Sequence, residues 1–243
     1  MKWIAVLTIS FLPTLGFGQI ESPGKLESIG LIVSPNISYR TLSFSSPNQW
    51  IADRRNSEEL PGFGFMVGAT IHYRITDRIR IETGILYSDM SIRTADTDLT
   101  WVTPNDAFPI QTKTVFHYGS IRVPFKVNYR LYEHNKLNVY AVMGLSTNLF
   151  INKRTEVVTE YPDRHSDSHT SSKHVGYSIF GLGLTAGAGV EYQFSRRIYS
   201  RLEPSLNYSV TSAVVDKGSK EYFYSFGIMA GFFYRFGNKT SRH

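Results

Sequence analysis

The sequence contains no cysteine among its 243 residues, which excludes a disulfide scaffold, a cysteine-ligated metal centre and a lipid-modified N-terminal cysteine. Charged residues make up only 19% of the chain, and the basic residues occur singly. A disordered chain and a nucleic-acid-binding protein therefore do not fit the composition. Long apolar runs are also missing, since polar residues interrupt every apolar stretch of the mature chain, so no transmembrane helix is predicted.

The first 18 residues have the features of a secretory signal peptide. Lys2 supplies the charged start, a short apolar run follows, and glycines occupy the −3 and −1 positions before Gln19. The apolar run is far shorter than the ~20 residues that a membrane-spanning helix requires. We therefore predict a signal peptide over residues 1–18 and a single mature domain over residues 19–243.

Apolar and polar residues alternate with a period of two in eight segments, which is the pattern of strands with one apolar and one polar face. In the sixth segment Leu182, Leu184 and Val190 share the apolar face, whereas Gly183 and Gly187 lie on the other. Short polar turns follow the second, fourth and sixth segments. The other connections are longer and rich in Ser, Asn, Asp, Pro and His, and they span 41–60, 91–113, 152–176 and 211–221.

Two features suggest that the apolar face meets lipid. Glycine is frequent on the polar face, where it makes room inside a narrow barrel, and aromatic residues gather at both ends of the strands, as two membrane interfaces would select. The sequence therefore predicts an all-β protein, an eight-stranded antiparallel up-and-down transmembrane β-barrel. The short turns are expected in the periplasm and the long loops at the cell surface. A secreted soluble β-barrel that binds a small apolar ligand is the alternative.

Two stretches resemble the small bacterial outer-membrane β-barrel proteins of the OmpX and PorT-like type. The segment from Tyr118 to Tyr129, YGSIRVPFKVNY, is similar to the tyrosine, Ile-Pro and Lys-Tyr pattern of a middle strand in that family, and 140–144 opens the next strand. The alternation of Phe232, Tyr234 and Phe236 is similar to the signal by which the outer-membrane assembly machinery recognises its substrates. The resemblance implies a bacterial outer-membrane location and a place in envelope secretion or assembly.

Charged residues lie on the predicted inner face, mostly toward the short-turn end. A charge in a confined interior must be paired or hydrated, and Glu191 is expected to face Arg201 across the sixth hairpin. Because eight strands leave room only for side chains, we predict a salt-bridged plug, with a cation-lined gate for anions as the alternative. The predicted cluster consists of Arg80, Glu82, Arg122, Lys126, Glu191, Arg201, Glu203 and Arg235.

The long connection 152–176 contains residue types that bind metals. The residues concerned are His165, His169, His174, Asp163 and Asp167. Their spacing matches no defined metal site, so neither a metal nor another cofactor is predicted.

Rim and loop residues suggest two further hypotheses. His117 and Ser120 resemble the histidine and serine of lipid-modifying outer-membrane hydrolases, but no third residue that would orient the base is marked in the sequence. Four basic residues in the predicted outer loops either contact lipopolysaccharide phosphates or keep the loops solvated. They are Arg54, Arg55, Lys153 and Arg154.

No catalytic constellation emerges from these patterns. We therefore predict a non-enzymatic integral outer-membrane protein with a structural or interaction role through its surface loops. The expected partners are outer-membrane lipid, lipopolysaccharide, the assembly machinery and an envelope protein, with no role for nucleic acid. An outer-membrane hydrolase that modifies lipid is the alternative function.

Overall fold

The computed structural model describes residues 25–45, 47–103, 105, 107–163, 165–172, 180–214 and 218–236, so the predicted signal peptide lies outside it. The described residues form ten strands and one helix. In chain order these elements are β1 (Lys25–Phe44), α1 (Gln49–Glu58), β2 (Glu59–Arg74), β3 (Ile79–Thr94), β4 (Thr97–Asp98), β5 (Gln111–His134), β6 (Leu137–Glu160), β7 (Ser166–Ser172), β8 (Phe180–Gln193), β9 (Ile198–Ser209) and β10 (Ser219–Arg235).

Eight of the strands form a closed ring in the order β5-β3-β2-β1-β10-β9-β8-β6, and pairing between β5 and β6 closes it. Strands that follow one another around the ring run antiparallel, and β10 returns to pair with β1. Closure leaves no free edge in the ring. The predicted eight-stranded antiparallel up-and-down barrel is confirmed. The short strands β4 and β7, which are additional to the prediction, pair with the outer ends of β5 and β6.

The outer face of the barrel is apolar and the inner face is polar. Leu31, Phe63 and Phe232 expose 71%, 71% and 67% of their surface, whereas Ser34 and Thr70 on the inner face expose 0% and 1%. A water-soluble protein has the opposite distribution, so this barrel is built to be surrounded by lipid. The alternative of a secreted soluble barrel is therefore wrong.

The strands continue well beyond the apolar band. β5 and β6 each have 24 residues, whereas a tilted membrane strand needs only ~9–11. The prediction of a loop over 152–176 is therefore wrong in part, because residues 152–160 continue β6 and β7 occupies 166–172. Outside the membrane both faces of a hairpin contact water, so the apolar alternation that marks the lipid-facing segments is missing there.

The helix α1 occupies part of the predicted loop 41–60 and covers an edge of β1. The pairing of β1 with β2 ends at Ser38, and beyond that point the Asn56 side chain bonds both the N–H and the C=O of Leu42, at 2.9 and 2.8 Å. The amide thus replaces a neighbouring strand and protects this edge. Within the described residues no helix is long and apolar enough to cross a membrane.

Glycines on the inner face make room for large side chains. A Cβ atom at Gly30 would lie 2.2 Å from the Phe233 ring, and one at Gly189 would lie 2.3 Å from the Tyr140 hydroxyl. Neither neighbour has space to move aside in a filled barrel. The glycines of the polar faces therefore determine where bulky residues fill the interior.

Candidate functional site

Two cations and two carboxylates alternate in a ring at the centre of the short-turn half of the barrel. Arg201, on β9, donates to Glu82 on β3 and to Glu203, at 2.7 Å in each case. Lys126, on β5, completes the ring at 2.7 Å from Glu82 and 3.1 Å from Glu203. All four residues are buried. Because each charge has two opposite neighbours, the ring compensates the loss of hydration that burial imposes.

A second set of ion pairs lies closer to the short turns. Arg80 donates to Glu191 at 2.6 Å, and Glu191 pairs in register with Arg201, with 3.9 Å between Oε1 and Nε. Glu27 accepts a hydrogen bond from Arg74 at 2.6 Å and lies 3.3 Å from Arg235. Arg235 therefore joins the network from the rim, where its side chain is one-fifth exposed.

Glu27 is a member of this network that strict alternation does not predict. Counting by twos from Ile29, whose side chain faces lipid, would place Glu27 on the outer face. A shift of register between Leu26 and Ser28 turns it inward, and its exposed fraction is only 4%. Such a bulge carries no sequence signal here beyond the charge itself.

Further polar side chains complete the packing around the ion pairs. His72 is fully buried, with its Nδ1 atom 3.1 Å from Ser28 and 2.9 Å from the Tyr199 hydroxyl. The Tyr140 hydroxyl donates to Glu203 at 2.9 Å and also contacts Arg201. Aromatic rings and polar groups thus fill the space between the walls, as expected for an eight-stranded barrel.

Arg122 lies apart from the other predicted lumen charges. Its guanidinium donates to Asn148 at 2.7 Å and to Asn207 at 3.1 Å, and its exposed fraction is 6%. Among the described residues, no carboxylate lies within ion-pair distance of it. The structure thus brings together all the predicted cluster residues except Arg122.

A separate ion-pair cluster closes the outer end of the barrel. Arg40 donates twice to Glu59, at 2.8 and 2.6 Å, and also contacts Glu221 and the Tyr118 hydroxyl. Beneath it Phe223 packs with other buried apolar residues. Sequence reasoning misses this cluster because both glutamates fall in the connections 41–60 and 211–221, which the composition marks as loops.

The rim pair suggested as catalytic does not assemble. His117 Nδ1 lies 3.1 Å from Asp89 Oδ2, so a carboxylate that orients the imidazole is present. Ser120, however, is buried, and its hydroxyl has no hydrogen-bond partner among the described residues. Activation of a serine requires a hydrogen bond to its base, and this geometry lacks one.

The basic loop residues differ in their surroundings. Arg54 is exposed and paired with Glu58 at 2.8 Å, and Arg55 is half-buried against Glu59 at 2.7 Å. Lys153 stacks over the Phe116 ring, with 5.6 Å from Nζ to the centroid. Arg154 is exposed on the outer part of β6. Arg54 and Arg154 are therefore the two exposed residues of the four.

The described residues of the histidine-rich connection lie at the outer end of the barrel wall, where β7 pairs with β6. His165 contacts Asp163 at 3.2 Å and Asp167 at 3.5 Å, and its hydrogen bond to Asp163 raises the pKa of His165 above the usual histidine value. His169 lies on the exposed strand β7, and His174 is outside the described residues. The described residues contain no group of three ligands arranged for a metal ion.

The residues of the predicted assembly signal lie on the lipid-facing side of β10. Phe232, Tyr234 and Phe236 are all exposed, and the last two rings are 5.8 Å apart, edge to face. The last strand pairs with the first, since Phe232 lies opposite Leu31. The three aromatic side chains thus remain accessible on the closing seam of the barrel.

A closed ring of eight antiparallel strands, apolar outside and filled with charged and polar side chains inside, defines a transmembrane β-barrel. Residues 17–212 match the family described as outer membrane protein beta-barrel domain. The chain belongs to this family, and its location is the bacterial outer membrane.

Several solved structures are similar to this chain at low sequence identity. Neisserial surface protein A matches with a TM-score of 0.46 and 13% identity, covering 88% of this chain and 100% of its own. The outer membrane protease OmpT of Escherichia coli matches with a TM-score of 0.42 and 9% identity, and the match covers 90% of this chain and 100% of OmpT. Ail, the attachment invasion locus protein of Yersinia pestis, matches with a TM-score of 0.33 and 14% identity, and the match covers 87% of this chain and 100% of Ail. Comparison with curated protein sequences gives no match.

Proposed function

We propose that this protein is a non-catalytic interaction protein, in which a filled barrel holds an outer extension at the cell surface. The outer extension consists of α1, β4, β7, the outer parts of β5 and β6, and the connection between β4 and β5. The observation that carries the proposal is the contrast between a closed interior and strands that continue past the apolar band. The ring around Arg201 fills the short-turn half, and the cluster around Arg40 covers the outer end. Such an interior supports a rigid scaffold and disfavours a solute channel.

The outer extension offers an apolar patch in the connection between β4 and β5. Trp101 and Phe108 pack together with their ring centroids 5.0 Å apart, and the Trp101 indole donates to the Pro109 carbonyl at 2.6 Å. Next to them the Val102 side chain is fully exposed. Aromatic residues held rigidly in water are typical of protein-binding hot spots. The proposed partner is therefore a protein, bound through Trp101, Val102 and Phe108.

We propose that lipopolysaccharide surrounds the barrel as a membrane lipid and is not its specific binding partner. The exposed cations Arg54 and Arg154 lie in the outer extension, where phosphate groups of that lipid are in reach. Export through a signal peptide over residues 1–18 and recognition of Phe232, Tyr234 and Phe236 by the assembly machinery complete the proposed route to the membrane.

The proposal is tested with photo-crosslinking amino acids placed singly in the protein on intact cells. A crosslinker at Val102 should form a protein adduct, and Trp101→Ala should abolish it. A matched crosslinker at Thr170, which is also exposed, on β7, should give no adduct.

Two outcomes would contradict the proposal. If no adduct forms at Val102, no protein binds this apolar patch, and the proposed partner is wrong. Turnover of outer-membrane lipids by the purified barrel, lost in His117→Ala, would replace the interaction role by the hydrolase alternative.

A further inference from the structure

Among the described residues, one buried cation of the barrel, Arg122, has no carboxylate within ion-pair distance. Arg40, Arg80, Lys126 and Arg201 each contact at least one glutamate, whereas the polar contacts of Arg122 are two amide oxygens and the sulfur of Met66, at 3.3 Å. An isolated charge is costly to hold away from water unless an opposite charge compensates it. Arg122 therefore places in the middle of the barrel a positive charge that no described carboxylate contacts.

The two asparagines that bind Arg122 do so through their side-chain oxygens, so their side-chain amide nitrogens do not contact it. Asn207 Oδ1 accepts from both Arg122 and Thr185, at 3.1 and 2.8 Å, and Asn148 Oδ1 accepts from Arg122 Nε at 2.7 Å. Each nitrogen is therefore left as a donor. Asn207 Nδ2 is buried and has no hydrogen-bond partner among the described residues.

A cavity of about 10 Å³ adjoins these groups. This volume is about that needed for one particle of the size of a water molecule. The polar residues that line it are Arg122, Ser146, Asn148, Asn207, Tyr208, Ser209, Tyr224 and Ser225. No acidic side chain is among the residues that line it in the described structure. The cavity thus combines a cation with amide and hydroxyl donors.

Gly183 keeps this space open. A Cβ atom at that position would lie 2.9 Å from Ser146 Oγ and 3.4 Å from Asn148 Nδ2. A methyl group would therefore crowd the polar lining without altering any charge, which makes this glycine a useful position for a test.

We propose that the cavity binds a single small monovalent anion, of the size of chloride, between the Arg122 guanidinium and the amide nitrogens of Asn148 and Asn207. An anion compensates the charge of Arg122 and accepts from the donors that the protein leaves unused. Chloride is larger than a water molecule, so we expect the serine side chains of the lining to rotate and make room for it. Larger anions such as sulfate and gluconate do not fit.

The test compares the thermal unfolding of the folded protein in detergent micelles in sodium chloride and in sodium gluconate of equal ionic strength. Chloride should raise the unfolding midpoint by at least about 2 °C, since a ligand that binds only the folded state stabilises it. Arg122→Met, which removes the cation and keeps an unbranched apolar stem, should abolish this difference. Arg130→Met, which removes a rim cation paired with Glu133, should leave it unchanged.

Two further measurements keep the proposal falsifiable if Arg122→Met does not fold. Gly183→Ala, which leaves every charge in place, should also abolish the chloride effect. Crystals grown in bromide should show an anomalous peak beside Arg122. Equal midpoints in the two salts, a chloride effect that persists in Arg122→Met, or a water molecule in place of the bromide peak would each overturn the proposal.

Discussion

The two ends of the barrel interior are both closed by buried ion pairs, but the pairs are organised differently. At the short-turn end Glu82 and Glu203 each contact both Arg201 and Lys126. At the outer end one fully buried cation, Arg40, contacts two carboxylates from different strands. The first arrangement is a network in which each charge has two opposite neighbours. The second is a cluster around one arginine that contacts two glutamates.

The difference follows from the position of each end in the membrane. The short-turn network lies between walls whose outer faces are apolar, so water has little access to a charge that loses its partner. The outer cluster lies where the strands have passed the apolar band, and Arg55 reaches Glu59 from the half-exposed surface of α1. Loss of one partner should therefore lower the free energy of unfolding more in the network than in the cluster around Arg40.

The largest expected effect is that of Arg201→Met. The substitution leaves Glu82 and Glu203 with Lys126 as their remaining cation, and we expect the free energy of unfolding to fall by about 3–5 kcal/mol. Reversible urea unfolding in lipid vesicles, followed by circular dichroism, measures this value. As a control, the double variant Arg201→Met/Glu203→Gln should recover part of the loss, and a double variant less stable than the single one would contradict the network.

Arg40→Met should have a smaller effect, a loss of about 1–3 kcal/mol. Glu59 keeps its contact with Arg55, Glu221 keeps the hydrogen bond from the Tyr118 hydroxyl at 3.1 Å, and water enters from the outer surface. The same urea titration gives the comparison directly. A loss equal to that of Arg201→Met would mean that the outer end is as dry as the short-turn end.

The smallest effect concerns the exposed pair of His165 and Asp163, in which the hydrogen bond raises the pKa of the histidine and lowers that of the aspartate. Because the folded-state pKa of His165 is raised, its stabilising contribution is present below the pKa of an unfolded histidine. It is lost as the pH rises through the folded-state pKa.

Histidine-selective NMR titration should show a lower pKa for His165 in Asp163→Asn. The control Asp98→Asn, a carboxylate on β4 that is hydrogen-bonded to Gln111, should leave the His165 titration unchanged. An identical His165 titration in wild type and Asp163→Asn would show that the pair does not form in solution.

The sequence by itself determines the barrel and the face that each membrane strand turns to lipid. A period of two is a local property, and an apolar side chain on alternate residues suffices to assign Leu31 or Phe63 to the outer face. The same local reasoning places Glu191 opposite Arg201, because a short turn between β8 and β9 allows little freedom of register. Patterns of this kind need no knowledge of distant parts of the chain.

Only the tertiary structure decides which interior charges meet when they lie on strands that are distant along the chain. Arg40 binds glutamates 19 and 181 residues away along the chain, and this depends on how the ring closes. Glu27 faces inward because of a bulge, whereas Arg122 is left without a carboxylate although it shares the inner face with the network. Contacts across a barrel depend on the stagger of all eight strands together, and alternation within one strand contains no information about that stagger.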